Sequence, residues 1–559
     1  MSTAAGRFAA VAAGVAGLTL AARVVGFGRW LVFSKTVGDT CLGDAYNTAN
    51  NLPNVLFEIV AGGILAGVVV PVVSRHLAAG RRDQAARTAS ALFCWTLLVL
   101  TPVGLLAVLG AGLYGRTFSQ PDCVGGAGTA AALLVVFAPQ VWCYGLAVVS
   151  AGLLQAQHRF WAAAAAPLAS SLVVIATYLV YAAGADPAGR TDLTRLGPGS
   201  LAVLGWGTTL GVAVLAATTL VPALVLARRT GLRLRPTLRF AADDPAVIRR
   251  MAGASVAGLV VQQASVLVAM LVARHSDLEG AWTRATWANA VYLLPFAVLV
   301  SPLLQMVFPR LSAAAERGPA AVGAVLGRIG PAVATLACLG AGLLIGCAVP
   351  VARLLVVGPG SGETAALAWP IAAFAPALVG FSLMGLATRT LFAQHRSRQA
   401  GLTTVVAWGT VIVAAVVVRF AAPPAFAVTG ISLSIGLGML TGAVVGWALA
   451  RPTLAGGDAG LARPLASGAP VALVVGVAGW FASAPFADAG VAGAVFGSLA
   501  LGVGCLVVFA GLLWLVDRRS ARAVLGLRGL RAGGGEDAAG PDEPTGAGAP
   551  ASSQAERRR

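Results

Sequence analysis

Apolar runs long enough to cross a hydrocarbon core of about 30 Å alternate with short polar breaks along nearly the whole chain. Windows of about 20 residues predict about fourteen helical spans, at 8–34, 45–74, 86–112, 129–155, 160–183, 199–227, 248–273, 282–309, 321–347, 364–392, 399–419, 425–450, 467–486 and 490–516. The expected fold class is an all-α polytopic integral membrane protein. The first run carries arginines and no early cleavage pattern, so it is expected to be a retained helix and not a signal peptide.

The second span breaks the apolar pattern. The segment GDAYNTANNLPNVLFEIVAGG (43–63) sets Asp44, Asn47, Asn51, Asn54 and Glu58 at steps of 3, 4, 3 and 4. On a helix these positions form one polar stripe, roughly 21 Å long at about 1.5 Å per residue. Such a stripe is costly against lipid, so it predicts either a helix lining a translocation path or a polar seam between packed helices.

Composition narrows the class. Charged residues make up 11% and hydrophobic residues 58% of the 559, where a soluble domain carries about 25% charged residues. Seventy glycines, and alanine runs such as Ala162 to Ala166, suit closely approaching helices. The net charge of +18 does not mark a nucleic-acid partner, because the basic residues cluster in alternate short loops, as at Arg75, Arg81, Arg82 and Arg87, and again at Arg228, Arg229, Arg233, Arg235 and Arg239. By the positive-inside rule those loops, and both termini, are cytoplasmic. The basic run LRLRPTLRF (232–240) is either an ordinary orientation signal or a segment lying on an anionic leaflet. Asp244 and Pro245 are expected to open the seventh span as N-cap and N1 proline.

An internal repeat is visible. Ala156-Gln157-His158-Arg159 recurs as Ala393-Gln394-His395-Arg396, Leu52-Pro53 as Leu294-Pro295, and Pro71 with Ser74 as Pro309 with Ser312, at offsets of 237 to 242. Two pseudo-symmetric six-helix bundles, 1–227 and 248–450, are therefore expected, joined by a basic linker at 228–247. An additional helix pair follows at 451–516, then a disordered cytoplasmic tail at 517–559. An even number of spans per repeat relates the halves by an axis along the membrane normal, about which they can rock.

The runs AARVVGFGRW (21–30), GDAYNTANNLPNVLFEIVAGG (43–63) and VVPVVSRHL (69–77) resemble the MurJ/MviN family of lipid II flippases, in the MOP exporter superfamily. LLPFAVLVSPLLQMVFPRLS (293–312) and TRTLFAQHR (388–396) are similar to that family's second-half motifs. The resemblance implies fourteen helices in a bacterial cell membrane. It also implies movement of undecaprenyl-pyrophosphate-linked peptidoglycan precursor to the outer leaflet, with membrane lipids and cell-wall synthesis proteins as partners. No cofactor and no enzymatic activity are implied.

Such a substrate needs a hydrated cationic cavity for its headgroup. Arg23 and Arg29 in span one are the expected anion ligands, since a guanidinium forks onto phosphate oxygens. Snorkelling toward an interface is the other reading of Arg29. Gly26 and Gly28 between them can bend the helix, and Gln262 and Gln263 in span seven can offer neutral hydrogen bonds. The candidate substrate-binding set is Arg23, Arg29, Asp44, Asn47, Asn51, Asn54 and Glu58. Members of the family carry a further basic pair in span two and an arginine in span eight, positions that hold Phe57, Glu58 and Ala290 here. Either Glu58 pairs with Arg23 or Arg29 and releases it on substrate entry, or the substrate differs, or transport is lost.

The four histidines have no metal-ligand spacing, and no Walker-type phosphate loop is present. Cys41 and Cys123 both fall in outer loops and can pair if their Cα atoms come within about 7 Å. Trp30, Tyr114, Trp161 and Trp282 are expected as interfacial anchors. Three functions compete: a lipid-linked-oligosaccharide flippase, a drug or small-solute antiporter of the same superfamily, and a non-transporting scaffold of cell-wall synthesis.

Overall fold

The computed structural model describes residues 2–59, 66–241, 244–360, 362–454 and 459–526, and these are helical with short connections. Eleven helices among them are long and apolar enough to cross a membrane, and they fall on predicted spans three to six and eight to fourteen. Predicted spans one, two and seven coincide with Ser2–Thr36, with Cys41–Phe57 followed by Ala66–Ala78, and with Asp244–Ala273. Large apolar side chains stand exposed around the outside, among them Leu106, Val180, Leu210, Val413, Val503 and Leu515. A belt of that kind is stable only against lipid.

Packing repeats with a shift of six spans. Span one packs on five, four on six and five on six; in the second half seven packs on eleven, ten on twelve and eleven on twelve. Small residues allow this closeness. A Cβ on Gly380 of span ten would lie 2.5 Å from the Leu440 backbone nitrogen of span twelve, so no larger residue fits.

The repeated Ala-Gln-His-Arg motif has a structural cause. His158 and His395 both take left-handed backbone, at φ 58° and 59°. Arg159 N–H reaches Leu154 O at 2.9 Å and Arg396 N–H reaches Leu391 O at 2.8 Å, closing the same helix C-terminal turn in each half. Valine at either histidine is expected to cost about 1–2 kcal/mol of stability, because a branched side chain resists that conformation. Glycine should cost nothing, and comparing melting temperatures of the two variants checks the assignment.

Spans two and eight share another feature at equivalent positions. A π-helical turn follows Phe57 at 58–59, and another covers Phe296–Val300, each a few residues at most beyond the paired prolines Pro53 and Pro295. Such turns weaken the regular hydrogen-bond ladder and mark where a helix can bend.

One apolar core crosses between the halves at the end bearing Cys41, joining Phe33 and Tyr46 to Trp287 and Tyr292. At the other end the cores separate: Val69, Ala85, Leu153 and Ala227 form one cluster, and Leu391, Ala400 and Ala450 another. The apolar core is thus continuous between the halves at one end and divided at the other. Cys41 and Cys123 form a disulfide with Cα atoms 5.5 Å apart, tying span two's start to the loop before span four. Cys41→Ser is expected to lower stability by about 2–4 kcal/mol, which chemical denaturation of the purified protein would measure.

At the divided end the basic linker packs on protein. Ser90 Oγ accepts Arg235 N–H at 3.1 Å, Trp95 Nε1 donates to Leu238 O at 2.9 Å, and Leu232 is buried. Two expectations need correction. Tyr114 is no interfacial anchor, since it is buried and its hydroxyl donates to Thr48 O at 2.9 Å. The predicted disordered tail begins as a helix, Arg518–Leu525, because Asp517 caps it through Arg519 and Ser520 N–H groups and it packs on span nine. The rest of that predicted tail, from 527, lies outside the described residues.

Candidate functional site

Spans two and eight start beside each other at the disulfide end: Thr40 caps span two locally, Glu279 adds a further acceptor there, and span two supplies the cap that span eight lacks. Exposed N–H groups and a partial positive charge at a helix start call for an acceptor. Cys41 N–H donates to Glu279 Oε1 at 2.8 Å. In return Asp44 Oδ1 accepts Thr283 N–H at 2.8 Å and Oδ2 accepts Trp282 N–H at 3.3 Å, while Asn47 Nδ2 donates to Thr283 Oγ1 at 3.0 Å. The residue in the cap position of span eight is Gly280, which has no side chain to contribute and holds φ 74°. A Cβ there would lie 2.2 Å from Asp39 O, so the chains meet this closely only through glycine.

Two further contacts close this end. Arg284 pairs with Asp39 at 2.7 Å, both side chains being buried. Gln120 donates to Leu278 O at 2.9 Å and accepts Gly280 N–H at 3.2 Å.

The polar stripe of span two therefore divides. Asp44 and Asn47, expected along an open path, are buried in the seal between the halves, because the start of span eight supplies their partners. Asn51 and Asn54 are half-buried deeper in the molecule: Asn51 Nδ2 approaches Met270 Sδ at 3.0 Å, and Asn54 Oδ1 accepts the Tyr144 hydroxyl at 3.1 Å. Glu58 is exposed on its π-helical turn. No salt bridge joins it to Arg23 or Arg29 among the described residues, so the Glu58–arginine pairing, one of three alternatives read from the sequence, is not formed in this conformation.

Span one is an unbroken helix through Gly26 and Gly28, so Arg23 and Arg29, six residues apart, point to different sides. Arg29 is half-buried, lies 5.5 Å from the Trp30 ring centre, and acts electrostatically on the Tyr46, Tyr144 and Tyr178 hydroxyls of the first-half interior. Arg23 is exposed between exposed Leu20 and Val24 on a part of span one that packs chiefly on span five.

Sequence reasoning missed four charged positions. Arg284 lies inside an apolar span, and Asp39 lies in the short connection before span two, where no motif marks it. Arg389 of span ten is half-buried, and its guanidinium bonds the Gly385 carbonyl of its own helix at 2.9 Å, with no carboxylate partner among the described residues. Asp244, expected as a local cap, is the first residue of helix Asp244–Ala273, and its carboxylate is held by the first half: Arg75 at 2.7 Å, His76 Nε2 at 2.9 Å, and the Thr88 hydroxyl. One signal was available for the seal, since the Cys41–Glu279 and Asp44–Trp282 contacts both span 238 residues, the repeat offset itself.

A cavity of about 500 Å³ lies in the second half between spans seven, eight, ten, eleven and twelve, with Asn51 of span two at its wall. Gln262 lines it, whereas Gln263 is buried beside it.

The family model for lipid II flippase MurJ matches residues 33–501. A protein of Rhizobium meliloti (strain 1021) described as a probable lipid II flippase MurJ is 28% identical over 314 residues, which cover 54% of this chain and 55% of that protein. A like-named protein of Rhizobium tropici is 26% identical over 311 residues, with 54% and 55% covered. The chain thus aligns over about half the length of these relatives. A solved structure of lipid II flippase MurJ in an inward closed conformation superposes with TM-score 0.70 at 14% identity, covering 89% of this chain and 98% of that one. An inward-facing multidrug resistance MATE family transporter of the MOP superfamily gives 0.65 at 14% identity, covering 78% and 94%. These two likenesses establish the fold.

Proposed function

The chain belongs to the lipid II flippase MurJ family, and from that premise we propose that it carries undecaprenyl-pyrophosphate-linked peptidoglycan precursor from the cytoplasmic to the outer leaflet by alternating access. The disulfide end is then the outer face and the divided end the cytoplasmic one, in keeping with the basic loops at Arg75 to Arg87 and Arg228 to Arg239. The halves 1–227 and 248–450 rock about the axis where spans two and eight meet, and the π-helical turns at 58–59 and Phe296–Val300 are the places where those spans yield.

The observation that carries this reading is a pair of half-buried arginines, Arg29 and Arg389, for which the described residues provide no carboxylate. A cation at membrane depth costs about 2.5–3.5 kcal/mol or more unless water or an anion meets it. A pyrophosphate that enters between the halves meets both, with Arg23 at the exposed rim. Arg389 in this way makes up for the missing span-two and span-eight bases. An antiporter would need a compact acidic site, and with Asp44 engaged as the cap of span eight only Glu58, exposed on its π-helical turn, is left for it.

The test is depletion of the protein in its host, with outer-leaflet lipid II read by a membrane-impermeant probe. Wild type should restore the signal. Arg23→Ala and Arg389→Gln, expressed at equal levels, should restore it roughly 10- to 100-fold less well, the effect of losing one charge-assisted hydrogen bond. Unchanged lipid II on depletion would exclude flipping and leave the antiporter and scaffold readings.

A further inference from the structure

The cavity in the second half differs in chemistry from the arginine-bearing interior. Among its described lining residues there is no Asp, Glu, Lys, Arg or His. It presents the amides of Asn51, Gln262 and Asn289 together with the rings of Tyr292, Phe381 and Trp408. Tyr292 stacks on Phe374, another residue of the wall, with ring centres 4.7 Å apart, and Phe381 packs on Phe296 outside the lining at the same distance.

Its polar groups are unusually idle. Asn289 is exposed in the first third of span eight, and no hydrogen bond within the protein, among the described residues, engages the side chains of Gln262, Asn289 or Tyr292. Three unengaged polar groups converging on one cavity at membrane depth need water or a ligand to satisfy them. An amide offers a donor and an acceptor together, matching an acetamido or hydroxyl group, and an aromatic face suits the apolar side of a sugar ring. With no charged group in the lining, neither phosphate nor a metal ion finds a counter-charge.

Resting on the transport reading above, we propose that this cavity is a carbohydrate subsite that takes an uncharged N-acetylated sugar of the lipid-linked substrate while the arginines hold its pyrophosphate. The layout fits a two-part headgroup. Met384 of the cavity wall and Arg389 lie five residues apart on span ten, so this cation stands about 7–8 Å along the helix from the cavity wall. Asn51 brings span two to the same cavity, so a sugar bound there touches both halves.

The full-length protein in nanodiscs should bind N,N′-diacetylchitobiose saturably, read by tryptophan fluorescence and saturation-transfer NMR, with little dependence on salt. Asn289→Leu and Gln262→Leu, each with an unchanged melting temperature, should weaken binding about tenfold or more. Cellobiose, which lacks the acetamido groups, should bind correspondingly less well. Equal binding by wild type and Asn289→Leu overturns the subsite, as does displacement of the probe by tetraphenylphosphonium, the behaviour of an aromatic cation cage. Absent disaccharide binding with normal delivery of lipid II to the outer leaflet overturns the subsite and leaves the transport reading standing. Disaccharide binding in a protein that delivers no lipid II supports the subsite and removes that reading.

Discussion

Arg284→Met is expected to destabilise the folded protein by about 3–5 kcal/mol, because it leaves the buried Asp39 carboxylate without its cation. The pair is 2.7 Å apart, and neither side chain reaches solvent. Asp39 is also hemmed in by backbone. A Cβ on Gly360 would lie 1.8 Å from its Oδ1, and one on Gly280 would lie 2.2 Å from its backbone oxygen. The carboxylate therefore has no room to turn toward water. Replacing both partners, as Asp39→Asn with Arg284→Met, should recover much of the loss, since the stranded charge is gone. Thermal denaturation of wild type, both single variants and the double variant measures this coupling. Additive losses would mean that the two side chains act independently, against the geometry.

Asp44→Ala should open the seal between the halves. It removes the acceptor for the Trp282 and Thr283 N–H groups, at a cost of roughly 1–3 kcal/mol for each buried donor left unsatisfied. It also removes the negative charge that favours the start of span eight. Asp44→Asn keeps an oxygen for one of those donors and should lose less. The seal lies between spans two and eight, so its weakening should expose deeper positions from the disulfide end. A cysteine placed at Asn51, in a chain whose five free cysteines have been replaced, reports this. Labelling by an impermeant maleimide applied from the outside should rise sharply in Asp44→Ala, less in Asp44→Asn, and outer-leaflet lipid II should fall in the same order. Labelling as slow as in wild type would remove Asp44 from the seal. Transport falls in this variant through loss of one closed state, whereas Arg389→Gln is expected to lose substrate contact with the seal intact, so the two variants separate gating from binding.

Much of this arrangement was legible beforehand. Each of the eleven clearly membrane-length helices coincides with a predicted span. The repeat read from Ala-Gln-His-Arg reappears as matching helix ends at His158 and His395 and as packing partners shifted by six spans. The possible Cys41–Cys123 bond is formed. The stripe of span two was found correctly but taken as one surface with one purpose. Its spacing gives a shared helix face, yet what that face meets changes along its length: the start of span eight at Asp44 and Asn47, then Met270 and Tyr144 at Asn51 and Asn54.

Membrane insertion, the helical class, the two-fold repeat and the family are thus determined by the sequence alone, because hydropathy, periodicity and recurring motifs are local properties that survive in a linear string. Only the tertiary structure decided which charges seal and which remain available. Arg284 and Arg389 each sit in an apolar span, yet one is fixed by Asp39, 245 residues away, and the other finds no carboxylate among the described residues. The same holds for the uncharged cavity, whose amides and rings come from five different spans. The energy of a buried polar group is set by what lies within about 3 Å of it, and in a bundle of long helices those neighbours are distant in the chain.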